Sequence, residues 1–237
     1  MPVIHLEEFF TNLEKSDDIF IPKHKSVNEK ISYPEEGYHN LLALEENSFW
    51  FRHRNNCLYA LMERFSPNET LFDIGGGSGS VSYFLQKQGM NVALIAPGLN
   101  GARHAAKRGI PSVAATFEEL ELNSGARIMS VGLFDVVEHI EDDIGFLQKL
   151  RNFVADEGLI YITVPSYNFL WSDEDDLAGH FRRYTLSELK EKLIATGFQP
   201  VFSSYYFSLL IAPILLFRVL PSKLRRRNSD LKQNIKE

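Results

Sequence analysis

The ten residues 71–80 constrain the fold of this 237-residue chain more than any other segment. Their sequence, LFDIGGGSGS, joins an apolar strand pattern ending near Asp73 to a turn that contains Gly75, Gly77 and Gly79. Glycine accepts positive φ angles and lets a ligand approach the backbone closely. A strand, a glycine turn and a helix N-terminus together form a site for a polar or anionic ligand group. The run therefore predicts a nucleotide-like ligand at the start of an α/β domain.

Two nucleotide-binding patterns compete for this loop. The dinucleotide fingerprint requires Gly-x-Gly-x-x-Gly or Ala, with an acid about twenty residues later. Here Ser80 occupies the last position of that pattern, and Ala96 stands where the later acid belongs. The alternative pattern, Asp-x-Gly-x-Gly-x-Gly, fits residues 73–79 without a gap. A tight turn that binds nothing is the third interpretation, and the glycine density argues against it.

Strand and helix patterns alternate after the loop. The predicted strands are 70–74, 91–95, 112–115, 128–133 and 159–164, and the predicted helices are 80–88, 102–107 and 142–154. This alternation predicts parallel βαβ units in a doubly wound, mostly parallel α/β sheet. Residues 199–207 are predicted to form a further strand. No final antiparallel strand can be identified in 208–237.

The glycine loop and three further motifs resemble the class I, Rossmann-like S-adenosylmethionine-dependent methyltransferases. The loop at 73–79 resembles their motif I. Residues 45–51 with Arg54 resemble the segment before the core in many bacterial small-molecule members, 134–140 (FDVVEHI) resembles the segment after strand four, and 164–185 resembles the segment after strand five. The resemblance extends over about 45–217 and implies a methyltransferase that uses S-adenosylmethionine as its cofactor.

The resemblance also implies a division of the chain into three parts. Residues 1–66 form an N-terminal helical cap whose first forty residues look irregular. Residues 67–207 form the Rossmann-like domain, in which 166–184 is an insertion that covers the substrate. Residues 208–237 form an apolar and basic C-terminal segment.

Cofactor-site residues are expected where strands end, because ligands of open α/β sheets bind beyond the carboxyl ends of the strands. Phe117 has two interpretations, as a contact for the adenine ring or as ordinary core. Ala96 replaces the acid that takes the ribose hydroxyls in many members; its loss would weaken cofactor binding by roughly tenfold or more, unless Asn100 supplies another contact. The full predicted set is Asp73, Gly75, Gly77, Gly79, Ala96, Phe117 and Leu133.

The residues predicted to bind the methyl acceptor or remove its proton lie in three of the motifs. Methyl transfer needs an aligned acceptor and, for a hydroxyl or amine, a base, for which histidine has a suitable pKa. His139 and His180 are therefore the predicted catalytic residues. An equally supported alternative is that His180 and Arg183 pair with acids in 173–176 to fasten the insertion. The predicted substrate-binding residues are Trp50, Arg54, Trp171, Arg183 and Tyr184.

The segment after strand four also raises the question of a metal. Asp135, Glu138 and His139 resemble residues that lie near a divalent metal in the quinone O-methyltransferases. Three oxygen or nitrogen ligands can support such a site. Because no further ligand is evident in the sequence, we favour a capping cluster and predict no bound metal.

The C-terminal segment combines an apolar stretch, 205–220, with a basic cluster. Pro213 interrupts the stretch, which is too short and broken to predict a membrane span. The segment has two interpretations: a peripheral contact with an anionic inner membrane surface, near a lipid-linked acceptor, or a helix packed on the sheet edge. The basic residues are Arg218, Lys223, Arg225, Arg226 and Arg227.

Composition limits the remaining classes. Hydrophobic residues make up 44% and charged residues 24%, as in ordinary globular proteins. Cys57 is the single cysteine, which excludes an internal disulfide and suits the cytoplasm. The net charge of −6 argues against a nucleic-acid partner. The sequence thus predicts a cytoplasmic methyltransferase acting on a small-molecule, sugar or lipid-linked acceptor. The alternatives are a non-catalytic methyltransferase-fold protein that binds a ligand or membrane, and a nicotinamide-dependent oxidoreductase, which Ser80 and Ala96 disfavour.

Overall fold

A computed structural model describes residues 4–23, 48–66 and 68–225. The described residues contain one seven-stranded sheet, in the order β1-β2-β5-β4-β3-β6-β7. The strands are β1 (Leu13–Ser16), β2 (Ile19–Pro22), β3 (Leu71–Ile74), β4 (Val92–Ala96), β5 (Ser112–Ala114), β6 (Ser130–Phe134) and β7 (Leu159–Thr163).

The five strands β3 to β7 form a doubly wound parallel core. The central strand β3 pairs in parallel with β4 on one side, where Leu71 is opposite Val92, and with β6 on the other, where Leu71 is opposite Ser130. The chain runs outward from β3 to β5 and then returns to β6, so the strand order reverses between β3 and β6. Ligands of open α/β sheets bind at such a reversal. The predicted doubly wound, mostly parallel α/β fold is confirmed.

Helices flank this sheet and begin at polar capping residues. Ser48 accepts a hydrogen bond from the backbone N–H of Trp50 at the first helix, and Thr185 and Glu188 form a reciprocal capping box at the sixth. Such caps satisfy backbone N–H groups that have no partner inside the helix. The helices are α1 (Phe49–Phe65), α2 (Ser80–Lys87), α3 (Leu99–Lys107), α4 (Asp143–Phe153), α5 (Asp173–Ala178), α6 (Leu186–Ala195) and α7 (Ile211–Ile214), which continues into a π-helical stretch, Leu215–Val219.

The sheet buries apolar side chains on both faces. Phe72 of β3 meets Phe10 edge to face, and Phe10 stacks on Phe153 of α4. On the other face Leu71 packs with Leu58 and Met62, which lie one helical turn apart on α1. Full burial of such a side chain stabilises the fold by about 1.5–3 kcal/mol. Helix α1 is thereby fixed against the sheet, with its N-terminal turn near the carboxyl ends of the strands.

The N-terminal region differs from the predicted irregular segment. β1 and β2 form an antiparallel hairpin, and Phe20 of β2 pairs in parallel with Val113 of β5. The hairpin extends the sheet at the edge where β5 would otherwise be exposed. Each strand has only four residues, too few for the alternating pattern of apolar and polar residues to stand out. The boundaries of the three predicted parts remain predictions.

The predicted strand over 199–207 is wrong. This segment contains no strand, although all of its residues are described, and Val201 and Phe202 in it are exposed. Phe207 adopts a left-handed conformation with φ of 64°, which turns the chain toward α1. The aromatic side chains of this segment contact Trp50 of α1, Thr163 of β7 and Tyr167, and the backbone of the segment does not pair with β7. Apolar spacing by itself does not distinguish these two uses.

Candidate active site

The glycine turn after β3 has the backbone conformation that its sequence predicts. Gly75, Gly77 and Gly79 have φ angles of 78°, 53° and 75°, which side chains other than glycine rarely adopt. A Cβ atom at Gly79 would lie 2.6 Å from the Cβ of Ala105, so the turn also packs closely on α3. The shape of the turn therefore depends both on the left-handed conformation of its glycines and on its close packing against α3.

Asp73 lies under this turn with none of its surface exposed. Ser82 Oγ of α2 donates a 2.5 Å hydrogen bond to Asp73 Oδ2. The other carboxylate oxygen, Oδ1, has no hydrogen-bond partner in the described part of the chain. Burial raises the pKa of Asp73 to about 6, against the opposing effect of the Ser82 hydrogen bond. A buried polar atom without a partner costs free energy, which a ligand donor would recover.

These features fit the methionine end of S-adenosylmethionine. Asp73 Oδ1 can accept a hydrogen bond from a ligand ammonium group, and the turn lets a ligand approach the backbone. The carboxylate packs directly against Gly76, since a Cβ there would lie 2.4 Å from Asp73 Oδ2. A side chain at this position would displace the carboxylate.

The ribose side of the expected site has weaker support. Ala96 is 1% exposed and packs with Ala105 and Ile110. Asn100 is exposed on the first turn of α3. The structure gives neither residue a contact that assigns it to a ribose, and the prediction for Ala96 stays untested.

The two predicted apolar cofactor contacts lie in the core. Phe117 is almost fully buried and meets Phe146 and Phe153 edge to face. Leu133 is fully buried in β6. These contacts belong to the core interpretation of Phe117, and a role in binding the adenine ring stays a prediction.

Helix α1 brings two predicted substrate-side residues to the carboxyl ends of the strands. Trp50 stacks on Phe207, with ring centroids 3.9 Å apart. One turn later the buried Arg54 donates a 2.5 Å hydrogen bond to Asp135 Oδ2. Asp135 follows β6 with a φ of 57°, and its Oδ1 accepts a 3.1 Å hydrogen bond from Thr163 Oγ1 of β7. The ends of β6 and β7 are thus tied to α1. Residues 45–47 of the matching motif lie outside the described residues.

Glu138, His139 and His180 come together although the two histidines are 41 positions apart in sequence. The imidazole rings of His139 and His180 meet edge to face at 4.7 Å. Glu138 is 1% exposed, and burial, followed by the nearby charge of Asp135, raises its pKa well above the ordinary range. Burial, followed by the neighbouring His180, lowers the pKa of His139 to about 4, so this imidazole is neutral at pH 7.

The insertion is fastened by ion pairs. Arg183 is 8% exposed and donates to both carboxylate oxygens of Asp175, at 2.8 and 2.9 Å. His180 Nδ1 lies 2.9 Å from Asp175 Oδ1. Burial opposes ionisation of Asp175, but its hydrogen bonds with His180 and Arg183 hold its pKa below the ordinary range. These contacts are those of the fastening alternative, and substrate binding by Arg183 stays untested.

Two other predicted substrate-binding residues also have partners within the protein. Tyr184 is buried and donates a 2.7 Å hydrogen bond to Asp143 Oδ2. Trp171 Nε1 donates a 2.9 Å hydrogen bond to Asp176 Oδ1. Their roles toward a substrate remain predictions.

Sequence reasoning missed the contacts made by residues 205–207. Tyr206 is hydrogen-bonded to Thr163, and its pKa is raised by burial and then by the charge of Asp135. Phe207 covers Trp50. The three consecutive aromatic residues 205–207 are the sequence feature that could have indicated these contacts, but apolar residues in this segment also fit a strand.

Comparison with known proteins agrees with this geometry. A family profile described as "Methyltransferase domain" matches residues 48–202, which is more than half of the chain. The chain belongs to this methyltransferase family. The match begins at the cap of α1 and includes the glycine turn, the segment after β6 and the insertion. The predictions of a methyltransferase and of the Rossmann-like family are thereby confirmed. A search of curated proteins gave no match.

Solved structures share the fold of this methyltransferase at low identity. The plantazolicin methyltransferase BamL, crystallised with a triazolic desmethylPZN analogue and SAH, is 18% identical with a TM-score of 0.51, covering 70% of this chain and 69% of its own. Phosphoethanolamine N-methyltransferase 2 of Haemonchus contortus, in complex with S-adenosyl-L-methionine, is 16% identical with a TM-score of 0.57 and covers 91% of this chain. This methyltransferase spans about half of that enzyme, 53% of its length.

Within residues 4–23, 48–66 and 68–225, no helix has the length and apolar character needed to cross a membrane.

Proposed function

We propose that this methyltransferase binds S-adenosylmethionine at the turn 73–79 and methylates a small-molecule acceptor held near His139 and His180. The observation that carries the proposal is the buried carboxylate of Asp73, whose Oδ1 has no partner among the described residues beneath a turn of left-handed glycines. This turn lies where the strand order reverses. The family supplies the reaction class.

Methyl transfer from S-adenosylmethionine requires little covalent chemistry from the protein. S-adenosylmethionine supplies a methyl group on a positively charged sulfur. The chain has to align the acceptor with that methyl and exclude water. The insertion and residues 205–207 support this role, because both cover the carboxyl ends of β6 and β7 through contacts to Glu138 and Thr163.

His139 or His180 accepts the proton of the acceptor in this proposal. The imidazole of His139 is neutral at pH 7, since burial lowers its pKa to about 4. A weakly basic imidazole suffices where the acceptor becomes a strong acid during methyl transfer, as a hydroxyl oxygen does. Asp175 orients His180 by its 2.9 Å contact with Nδ1.

The test is calorimetric titration with S-adenosylmethionine and S-adenosylhomocysteine. We expect one binding site, which is lost in Asp73→Asn and kept in Asp18→Asn, a matched change at an exposed carboxylate. Absence of binding at millimolar ligand would overturn the proposal and favour the alternative, a methyltransferase-fold protein without catalysis. The missing acid at Ala96 is the feature that supports this alternative.

We further propose that the acceptor is presented at an anionic membrane surface, as a lipid-linked molecule. The supporting observation is the helical segment 211–225, in which Val219 and Ser222 are buried. Ser222 Oγ accepts a 3.0 Å hydrogen bond from the backbone N–H of Asp173. Five large apolar side chains of residues 209–224 are exposed, whereas four others in this range are partly buried. The exposed residues are Leu209, Leu216, Phe217, Leu220 and Leu224.

The positive charge of this segment also favours contact with an anionic membrane surface. Lys223 and Arg225 are exposed at the end of this segment, while Arg226 and Arg227 lie outside the described residues. Basic residues near an anionic bilayer contribute about 1 kcal/mol each. The segment is fastened to the insertion by Arg218, which is 2.5 Å from Glu174. Membrane contact would therefore bring the bilayer to the element that carries His180.

Vesicle co-sedimentation tests this contact. We expect binding to vesicles that contain phosphatidylserine and weak binding to phosphatidylcholine alone. The triple variant Leu216→Ser, Phe217→Ser, Leu220→Ser should lose binding, and Ile194→Ser, a change at an exposed apolar residue of α6, should keep it. Equal sedimentation of all three proteins would contradict the membrane proposal and leave the cofactor proposal intact.

A further inference from the structure

We propose that Glu138, His139 and His180 form a binding site for a divalent transition-metal cation, with Zn²⁺ as the reference ion. One ligand atom from each residue lies within 4.8 Å of the other two. The ligand atoms of a tetrahedral cation, each bound at 2.0–2.2 Å, lie about 3.4 Å from one another. Small side-chain movements would bring the three ligand atoms of this cluster to that spacing. Two imidazoles and one carboxylate, with a further position open, are a donor set that such cations accept.

Contacts within the protein hold both imidazole rings. Asp175 Oδ1 lies 2.9 Å from His180 Nδ1 and is itself held by Arg183, so Nε2 of His180 is the nitrogen that would face a cation. The imidazole of His139 is hydrogen-bonded to the backbone of Ala178 and Gly179. Carboxylates and backbone carbonyls are the partners that fix the orientation of metal-binding histidines in proteins. Both rings are therefore oriented before any cation binds.

Glu138 gives independent support. It is 1% exposed, and its Oε2 has no hydrogen-bond partner anywhere in residues 4–23, 48–66 and 68–225. Buried carboxylate oxygens are rarely left without a partner, because the desolvation cost is not recovered. The backbone oxygen of Glu138 accepts a 2.8 Å hydrogen bond from the N–H of Phe181. That bond holds the insertion, and with it His180, against the segment after β6.

The set differs from the one that the sequence suggested. Asp135 is not available, because Arg54 and Thr163 occupy its two carboxylate oxygens. The sequence shows no evident ligand beyond Asp135, Glu138 and His139, which is why no metal was predicted, whereas the fold brings His180 to Glu138 and His139. Two nitrogen donors favour a cation such as Zn²⁺, Co²⁺ or Fe²⁺ over Mg²⁺, which prefers oxygen ligands.

A cation at this site would extend the proposed function, and its role in methyl transfer rests on that proposal. The open coordination position would hold a hydroxyl oxygen of the acceptor, so acceptors with a metal-binding hydroxyl are the expected substrate class. In that case the cation would lower the pKa of the bound hydroxyl, the proton would pass to water, and the histidines would be ligands and not bases.

The experiment uses the full chain, stripped of metal by a chelator and titrated with ZnCl₂ by calorimetry and with CoCl₂ by visible absorption. We expect one equivalent of each ion and the visible bands of Co²⁺ in a low-coordinate site. Glu138→Gln keeps the shape of the side chain and should weaken binding by about tenfold or more, as should His180→Ala. In the unmodified chain, Zn²⁺ should shift the imidazole NMR signals of His139 and His180 and leave those of the exposed His5 in place.

A rival site provides the control. Cys57 Sγ lies 3.8 Å from His53 Nε2 on α1, so this pair can bind Zn²⁺ by itself. Cys57→Ser should leave binding unchanged. Binding that is lost in Cys57→Ser and kept in Glu138→Gln, or no stoichiometric binding at all, overturns the inference. S-adenosylmethionine titrated into the same samples separates the proposals: retained cofactor binding without metal binding overturns only the metal site.

Discussion

The glycine turn after β3 and the insertion between β7 and α6 are built in opposite ways. The turn takes its shape from residues 73–79 themselves, through three left-handed glycines. The insertion depends on distant partners in addition to its own Arg183–Asp175 pair, because Tyr184 meets Asp143 and His180 meets His139. A short motif can therefore specify the cofactor side of this methyltransferase, whereas the acceptor side depends on how the whole fold closes.

The largest expected effect comes from breaking the insertion at its buried ion pair. Arg183→Met leaves Asp175 charged, fully buried and without its main partner, and should lower the free energy of unfolding by about 3–5 kcal/mol. Urea unfolding at pH 7 measures this loss. If Arg183 instead served only to grip a substrate, stability would not change and KM alone would rise.

An exposed ion pair is the control for that experiment. Arg127 pairs with Glu157, and both side chains are mostly exposed. Arg127→Met should cost less than about 1 kcal/mol. Equal losses in the two variants would mean that the insertion is not held by its buried pair.

A smaller effect is expected at the turn, where Gly79→Ala is compared with Gly89→Ala. Both residues have positive φ angles, 75° and 94°, so the backbone strain of alanine is matched at about 1–2 kcal/mol. Only at Gly79 would the new Cβ meet Ala105, at 2.6 Å, which adds about 1–3 kcal/mol of overpacking. We expect Gly79→Ala to lower both stability and S-adenosylmethionine affinity, as measured by thermal unfolding and calorimetry.

The matched variant decides what the turn does. Nothing lies within 4 Å of a Cβ built at Gly89. Gly89→Ala should therefore show the strain cost alone and bind the cofactor as the parent chain does. A loss of affinity in both variants would point to global destabilisation and not to the turn.

The smallest effect concerns the charge of Asp73. Burial raises the pKa of this carboxyl from 3.8 to about 6, so the folded state holds its proton more tightly than the unfolded state does. The contribution of Asp73 to stability therefore falls as the pH rises from about 4 to about 6. Asp73→Asn should remove this fall and raise the stability of the ligand-free protein at pH 7 by about 1 kcal/mol, after the cost of its own unpaired N–H groups.

Denaturant unfolding at pH 4 and pH 7 measures this difference. We expect the gain from Asp73→Asn to be present at pH 7 and to vanish at pH 4, while the variant loses cofactor affinity. A gain that is the same at both pH values would show that burial does not raise the pKa of Asp73 in the folded protein. Opposite effects on stability and binding are typical of residues kept for a ligand.

The sequence predicted local elements well and long-range contacts poorly. The strands after residue 70 and the helices α2 and α4 lie within a few residues of their predicted bounds, because short apolar runs and capping residues define them locally. The hairpin of β1 and β2 and the path of 199–207 were missed. Both depend on whether a sheet edge is available, which no local pattern reports.

By itself, the sequence determined the family, the doubly wound sheet and the left-handed turn over Asp73, since glycine spacing and strand periodicity act within a few residues. Only the tertiary structure decided that Asp135 pairs with Arg54, that Arg183 is enclosed by the insertion, and that His180 lies beside Glu138 and His139. The physical reason is that a charged or aromatic side chain can form equally good contacts with several alternative partners. Which partner it meets depends on the packing of elements that are far apart in the chain.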